Sequence, residues 1–100
     1  MRELREEVDA IRLSSVDTVA TMLRAVAKGE LIRVQCGEAT ETLEAHEAVP
    51  LCHKISVTAM LSGDPVRKYG EVIGTATAAI PRGTHVHVHN MASGKAKRSV

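Results

Sequence analysis

The chain has 100 residues, a formal net charge of +1 and 44% hydrophobic residues, with Tyr69 as its single aromatic side chain. This length indicates one small domain with an aliphatic core. The balanced charge and the lack of aromatic faces argue against a nucleic-acid-binding platform. No stretch approaches the roughly 18–20 apolar residues of a membrane span.

The two cysteines and the N-terminus indicate the compartment. Cys36 and Cys52 are not spaced as a metal-binding pair, so free thiols in a reducing cytoplasm are the simplest interpretation. The charged N-terminus lacks the apolar segment of a signal peptide. We therefore predict a cytoplasmic protein with a flexible arm at 1–9, one domain at 10–92 and a basic flexible tail at 93–100.

The first predicted elements are a short strand at 10–13 and a helix at 14–29. Apolar residues recur at three- and four-residue spacings along the predicted helix, as expected for one buried stripe: Val16, Val19, Ala20, Leu23 and Val26. Ser15 or Asp17 would cap this helix, although the carboxylate of Asp17 at a helix N-terminus could also face a ligand.

From residue 31 onward the apolar period changes to two. This change predicts short strands separated by Gly, Pro and Asp turns, namely 31–36, 41–45, 55–61, 66–70, 71–77 and 84–90. A parallel sheet is disfavoured because helices do not alternate with these strands. The predicted fold is a mostly β single domain with one N-terminal helix.

Three of the five histidines alternate with Val86 and Val88 in the last predicted strand. On a strand, His85, His87 and His89 would share one face at intervals of roughly 6.6–7 Å. Imidazoles at that spacing can converge on one metal ion or one anion. A solvated strand face without a ligand explains the same alternation, so both interpretations stay open.

Two other stretches combine cations with special backbone positions. His53 and Lys54 precede the apolar strand predicted at 55–61, where they could meet an anion. A surface loop with incidental charge is the alternative. Lys68 and Tyr69 place a cation and a phenol beside Gly70.

Five stretches then occur in the order of a known pattern: DTVA (17–20), PLCHKI (50–55), VRKYGE (66–71), IGTAT (73–77) and GTHVHVHN (83–90). They resemble the SAF domain of the altronate and galactarate dehydratase family, where the corresponding stretches are approximately DNVA, IPxGHKxA, VxKYGxxIGxAT and GxHVHxHN. The resemblance covers about residues 10–92. Thr18 and Cys52 depart from it, since the family usually has Asn and Gly there.

The resemblance implies a β-clip (SAF-like) fold and a role in sugar-acid dehydration. Members of this family remove water, or sulfite in the sulfolactate sulfo-lyases, from 2-hydroxy acids with a divalent metal, commonly iron. Their SAF domain either leads a longer chain or is a small subunit beside a large one. We therefore expect a large catalytic partner subunit, a small sugar-acid or sulfo-acid substrate and no activity of the chain alone. Self-association into a homo-oligomer is compatible with this expectation. The alternative function is a non-catalytic module that binds carbohydrate or a partner protein.

The resemblance also implies a set of site residues on one polar face. His87 and His89 are the candidates for proton transfer and for metal ligation. The candidate substrate-binding residues are His53, Lys54, Lys68, Tyr69, His85 and Asn90. Within this set, the two lysines would contact the substrate carboxylate, and the metal would act as a Lewis acid.

Overall fold

The computed structural model describes residues 7–93 and folds them into short β-strands joined by turns. The strands are β1 (Ala10–Ile11), β2 (Val19–Met22), β3 (Leu31–Cys36), β4 (Ala39–Glu44), β5 (Lys54–Ser56), β6 (Pro65–Lys68), β7 (Glu71–Ala76), β8 (His85–Val86) and β9 (Met91–Ser93). Residues 7–93 contain no helix. The prediction of a mostly β single domain is confirmed, whereas the prediction of an N-terminal helix is wrong.

The strands form two sheets. The larger sheet has the order β4-β3-β1-β2-β5-β8, and the smaller has the order β6-β7-β9. β1 and β3 run parallel, and the other paired strands run antiparallel. Because β5 pairs with both β2 and β8, it brings the stretch at 50–54 beside the start of the histidine-rich stretch.

The core consists of two clusters of buried aliphatic side chains, and β2 contributes to both. Successive side chains on a strand point to opposite faces. Val19 accordingly packs in one cluster with Val66 and Val86, while Ala20 and Met22 pack in the other. The strand is therefore covered on both faces.

This double coverage explains why the helix at 14–29 was a wrong prediction. Val19 and Ala20 are both about 1% exposed although they are neighbours in the chain, so their pattern imitates part of a helical stripe. Val16 and Leu23 belong to the same predicted stripe, yet they are 54% and 49% exposed. A helix would have buried them together with the others.

The other predicted strands agree with the structure to different degrees. β3 has the predicted bounds, whereas β5 ends at Ser56, well before the predicted end at 61. Beyond Ser56 the chain bends, and Met60 forms an isolated antiparallel bridge with Ile80. The prediction of one uninterrupted strand at 55–61 is therefore wrong.

Most of the predicted arm and tail cannot be compared with the structure, because 1–6 and 94–100 lie outside the described residues. Asp9, at the end of the predicted arm, is 8% exposed, and its carboxylate accepts the N–H of Arg33 at 2.8 Å. Cys36 and Cys52 are free thiols, as predicted. Within residues 7–93 there is no helix long and apolar enough to cross a membrane.

Candidate functional site

The imidazoles of His53 and His85 meet at one edge of the larger sheet. β5 and β8 run antiparallel, with Ile55 opposite His85. His53 directly precedes β5, and its Nδ1 lies 2.9 Å from Nε2 of His85. At this distance the two ring nitrogens form a hydrogen bond, in which one donates its N–H and the other accepts it. The pair joins two stretches that are 32 residues apart in the chain.

His87 and His89 extend this pair into an imidazole cluster of four rings. The ring centre of His87 lies 4.6 Å from that of His53 and 5.5 Å from that of His85, and the ring centre of His89 lies 5.4 Å from that of His85. Ligand nitrogens of His53, His85 and His87 all lie within 4.8 Å of one another. Within residues 7–93, these three are the only set of His, Cys, Asp or Glu side chains that converges closely enough to hold one metal ion.

The histidine-rich stretch is a strand only at its start. β8 ends at Val86 and the chain then turns, so the prediction of one strand at 84–90 is wrong. Val86 is buried but Val88 is 76% exposed, so the valines do not share a buried face. Asn90 stabilises the turn, because its Oδ1 accepts the N–H of His87 at 3.0 Å and its Nδ2 donates to the carbonyl of His85 at 2.9 Å.

The surroundings of His85 and His87 favour the neutral form of these two imidazoles. Desolvation lowers the pKa of His85, and the neighbouring imidazoles lower it further. Desolvation also lowers the pKa of His87, followed by the charges of His53 and Lys54. A neutral imidazole keeps one ring nitrogen free of a proton, which is the form that binds metals and accepts protons.

Two lysines bring positive charge to the same region. Lys54 lies on β5 opposite Thr21 of β2 and Val86 of β8, and it is half-buried. Burial lowers the pKa of Lys54, and the charge of Lys68 lowers it further. Since a like charge shifts a pKa in this way from nearby, the two ammonium groups belong to one cationic region beside the imidazole cluster. Nζ of Lys68 also lies 4.8 Å from the centre of the Tyr69 ring, which is a cation–π contact.

A buried carboxylate fixes the turn that carries Tyr69. Asp17 is 1% exposed, and its oxygens accept the N–H groups of Tyr69 at 2.8 Å and Gly70 at 2.7 Å. It also accepts the N–H of Ser14 at 3.2 Å. Since no helix follows Asp17, the interpretation as a helix cap is wrong. Asp17 instead connects the loop before β2 to the hairpin of β6 and β7.

Sequence reasoning missed Glu47 altogether and missed the contacts of Asp17. Oε2 of Glu47 accepts the backbone N–H of His85 at 2.9 Å, and its charge acts against the lowering of the pKa of His85. Nothing in the loop around Glu47 pointed to this contact. Both acids act on residues more than 35 positions away, which a local pattern cannot reveal.

Most of the predicted site residues are therefore neighbours in space. The cluster unites His53 with the three histidines at 85–89, and electrostatic contacts connect Lys54 to it. Tyr69 lies next to Lys68 and is 51% exposed. Asn90 differs from the others, since it is buried and two of its side-chain hydrogen bonds go to the backbone of its own turn. The chemical roles of all these residues stay predictions.

The family model and the similar known proteins indicate the same family. Residues 8–94 match the family model described as the altronate/galactarate dehydratase SAF domain. Over 80 residues the chain is 36% identical to an altronate dehydratase of Escherichia coli, a match of 80% of this chain and 15% of that protein. Over 87 residues it is 30% identical to (2R)-sulfolactate sulfo-lyase subunit alpha of Chromohalobacter salexigens, a match of 84% of this chain and 93% of that subunit.

A second sulfo-lyase subunit alpha, from Paracoccus pantotrophus, is 42% identical over 48 residues, which are 48% of this chain and 72% of that subunit. The chain thus spans 15% of the altronate dehydratases that it matches, but nearly the whole of one sulfo-lyase subunit. Since the family model matches nearly all of the described residues, the chain belongs to the altronate/galactarate dehydratase SAF domain family.

Proposed function

We propose that the chain is the small subunit, or the N-terminal domain, of a cytoplasmic hydroxy-acid lyase similar to altronate and galactarate dehydratases. It would bind the acidic substrate through its SAF domain, with the predicted β-clip arrangement, and act with a large catalytic partner. The observation that carries this proposal is the cluster of His53, His85, His87 and His89 beside Lys54 and Lys68. Family membership supports the reaction class.

The lysines support an acidic substrate. A 2-hydroxy acid carries a carboxylate, which Lys54 and Lys68 can bind with charge-assisted hydrogen bonds. Burial lowers the pKa of Lys54, and repulsion from the ammonium group of Lys68 lowers it further. Binding one carboxylate between them removes that repulsion. His53, His85, Tyr69 and Asn90 remain the further candidates for contacts with the substrate.

The imidazoles support proton transfer. Removal of water from a 2,3-dihydroxy acid requires abstraction of the proton next to the carboxylate and protonation of the leaving hydroxyl. His87 has a lowered pKa, so at neutral pH its ring is a base that can accept a proton. His89 is exposed beside it and would return a proton to the leaving group. We therefore assign the proton-transfer roles to His87 and His89.

The donor atoms also fit a divalent metal ion. Imidazole nitrogens suit iron and other transition metals, and the structure offers three of them within 4.8 Å of one another. His53, His85 and His87 would hold the ion, whereas the sequence analysis named His87 and His89. An imidazole that ligates the metal cannot also accept the substrate proton, so His87 would serve as the base only where it does not ligate the ion. When bound, the metal would supply a Lewis acid for the negative charge that develops on the substrate.

The relatives support a partner chain. Two matched relatives are named as subunit alpha of a sulfo-lyase, and the altronate dehydratases are much longer than this chain. A large partner would complete the site and contribute the remaining catalytic groups. On this proposal the 100-residue chain alone is inactive.

The proposal is tested by isolating the tagged chain from its native source with whatever large chain accompanies it. Metal content is measured, and the complex is assayed with altronate, galactarate and sulfolactate for release of a 2-oxo acid or sulfite. His87→Ala should lower kcat by roughly 10²-fold or more, as expected for loss of a proton-transfer group. His46→Ala is the matched control, because His46 is an exposed histidine outside the cluster.

Two outcomes would contradict the proposal. If the wild-type complex released neither product from any of the three acids, the lyase function would be wrong. If the chain were recovered alone and bound a sugar acid without converting it, the non-catalytic binding module would be the better explanation. Equal activities of the His87→Ala and His46→Ala complexes would remove only the role assigned to His87.

A further inference from the structure

We propose that Asp17 is a positioning residue that holds the turn at Lys68, Tyr69 and Gly70 in a left-handed geometry, so that Lys68 and Tyr69 face the site together. Nothing in the family resemblance or in the comparisons assigns this role to Asp17. The contact with the turn stands on geometry alone. Its consequence for substrate binding rests on the proposed function.

The turn has an unusual backbone for its sequence. Lys68 pairs with Glu71, so Tyr69 and Gly70 are the two central residues of the β6–β7 hairpin. Their φ angles are 58° and 78°. Positive φ at both central positions defines a type I′ turn, where Asn, Asp or Gly is strongly preferred at the first position. Tyrosine there is unfavourable because its Cβ crowds the backbone.

Asp17 offsets this unfavourable conformation. In such a turn two successive N–H groups can point toward the same side and form a small anion-binding concavity. The carboxylate of Asp17 lies there, with Oδ2 at 2.8 Å from the nitrogen of Tyr69 and Oδ1 at 2.7 Å from the nitrogen of Gly70. The side chain is 1% exposed, so water does not compete for these bonds. Arg12 anchors the same residue by donating from Nε to the carbonyl of Asp17 at 3.1 Å.

The geometry of the turn determines where two candidate site residues lie. Lys68 is the last residue of β6, and its ammonium is 4.8 Å from the centre of the adjacent Tyr69 ring. It is also close enough to lower the pKa of Lys54. If Tyr69 left the left-handed region, the hairpin would change its turn type and the ring would leave Lys68. Asp17 thereby acts on the site through the backbone.

The contact is tested on the whole chain by ¹⁵N NMR and amide hydrogen exchange. Asp17→Asn keeps the shape of the side chain but removes its charge, and we expect amide exchange at Tyr69 and Gly70 to become at least tenfold faster. Asp64→Asn is the matched control, because Oδ2 of Asp64 accepts the N–H of Leu61 at 2.8 Å in another turn. The near-ultraviolet circular dichroism should change in parallel, since Tyr69 is the single aromatic residue. Unchanged exchange at both amides in Asp17→Asn would overturn the proposal.

A second variant keeps the test decisive if Asp17→Asn is poorly folded. Asn tolerates positive φ, so Tyr69→Asn should make the turn less dependent on Asp17. We expect the fall in Tm caused by Asp17→Asn to be at least halved in the Tyr69→Asn background. An equal fall in both backgrounds would mean that Asp17 is a general core residue and would overturn the proposal.

The assembled enzyme tests the consequence for the site. Asp17→Asn should raise KM for the acid substrate about tenfold and change kcat by less than threefold, because it displaces a binding group and leaves the imidazoles in place. Asp64→Asn should change neither constant. If exchange became faster but KM did not change, the positioning role would be overturned while the lyase function stood. If the wild-type complex had no lyase activity, the proposed function would fail, and the exchange and rescue experiments would still decide whether Asp17 holds the turn.

Discussion

Gly83→Ala should lower the free energy of unfolding by more than the conformational preference of glycine alone explains. The substitution affects the segment that leads into the histidine-rich stretch. Gly83 precedes β8, and its φ is 89°. Its N–H donates to the carbonyl of Ser56 at 2.8 Å, and its carbonyl accepts the N–H of His46 at 2.7 Å. A Cβ at this position would lie 2.4 Å from the carbonyl oxygen of Glu44. Two anchored peptide groups leave the backbone little freedom to relieve that clash.

The magnitude follows from two separate costs. A left-handed conformation costs a non-glycine residue about 1–2 kcal/mol. Forcing an extra carbon into a packed region costs about 1–3 kcal/mol more, so Gly83→Ala should lose about 2–5 kcal/mol of the free energy of unfolding. A domain of this size has about 5–15 kcal/mol in total, so the expected loss is a large fraction of the stability of the wild type.

Substitutions at two other glycines measure the conformational cost and the packing cost separately. Gly63 has a φ of 96° and open space around its Cβ position, so Gly63→Ala should lose only the conformational part. Gly74 is in β7 without positive φ, and its Cβ would lie 2.4 Å from the carbonyl oxygen of Ala92, so Gly74→Ala should lose only the packing part. Alanine restricts the unfolded chain similarly in all three variants, so their differences report the folded state.

Urea unfolding of the wild type and the three variants measures these losses. The midpoint should fall furthest for Gly83→Ala, and its loss should approach the sum of the losses in Gly63→Ala and Gly74→Ala. In thermal melts, each 1 kcal/mol corresponds to about 4–8 °C for a domain of this size. Equal losses in Gly83→Ala and Gly63→Ala would refute the close contact with Glu44.

Three further predictions concern the surroundings of the site. Acidification below about pH 6.5 should lower Tm, because the pKa values of His85 and His87 are lowered in the folded state and the unfolded chain then binds more protons. In melts from pH 7.5 to 5, Tm should depend less steeply on pH in the double variant His85→Gln/His87→Gln than in the wild type. An equal dependence in both proteins would contradict the prediction. Cys52→Gly should raise Tm slightly, because Cys52 has a φ of 72° and glycine adopts this conformation without strain. The greater freedom of glycine in the unfolded chain partly offsets this gain. A fall in Tm would count against strain at this position. Asn90→Ala should lose about 1–3 kcal/mol in urea unfolding, because two backbone groups lose their partners; a loss below 0.5 kcal/mol, the lower end of typical hydrogen bonds, would contradict it.

The accuracy of the sequence-based predictions depended on how many faces of a strand are buried. β3 alternates between buried and more exposed positions along most of its length, and its predicted bounds were correct. β2 is buried on both faces, so its apolar positions also fitted a helix, and the prediction failed. Period alone cannot separate these cases.

Local sequence patterns also predicted only part of the candidate site. Alternation predicted that His85, His87 and His89 would lie together, and they do, although a turn stabilised by Asn90 replaces most of the predicted strand. The contact of His53 with His85 spans 32 residues, so no local pattern contains it. The family resemblance placed both in one site because it compares whole domains.

Backbone strain coincides with the candidate site. Among residues 7–93, the non-glycine residues with positive φ are Cys52 and Tyr69. Cys52 directly precedes His53, and Tyr69 directly follows Lys68. Strained residues persist only where the surrounding structure holds them.

Both strained residues are held by hydrogen bonds from their N–H groups. Cys52 donates to the carbonyl of Met22 on β2 at 2.9 Å, and Tyr69 donates to Asp17 in the loop before β2. The same short segment therefore fixes two stretches that carry candidate site residues. Because these bonds lie within the chain, the backbone beside His53 and Lys68 is held without any bound molecule. Such preorganisation reduces the ordering that binding would otherwise require.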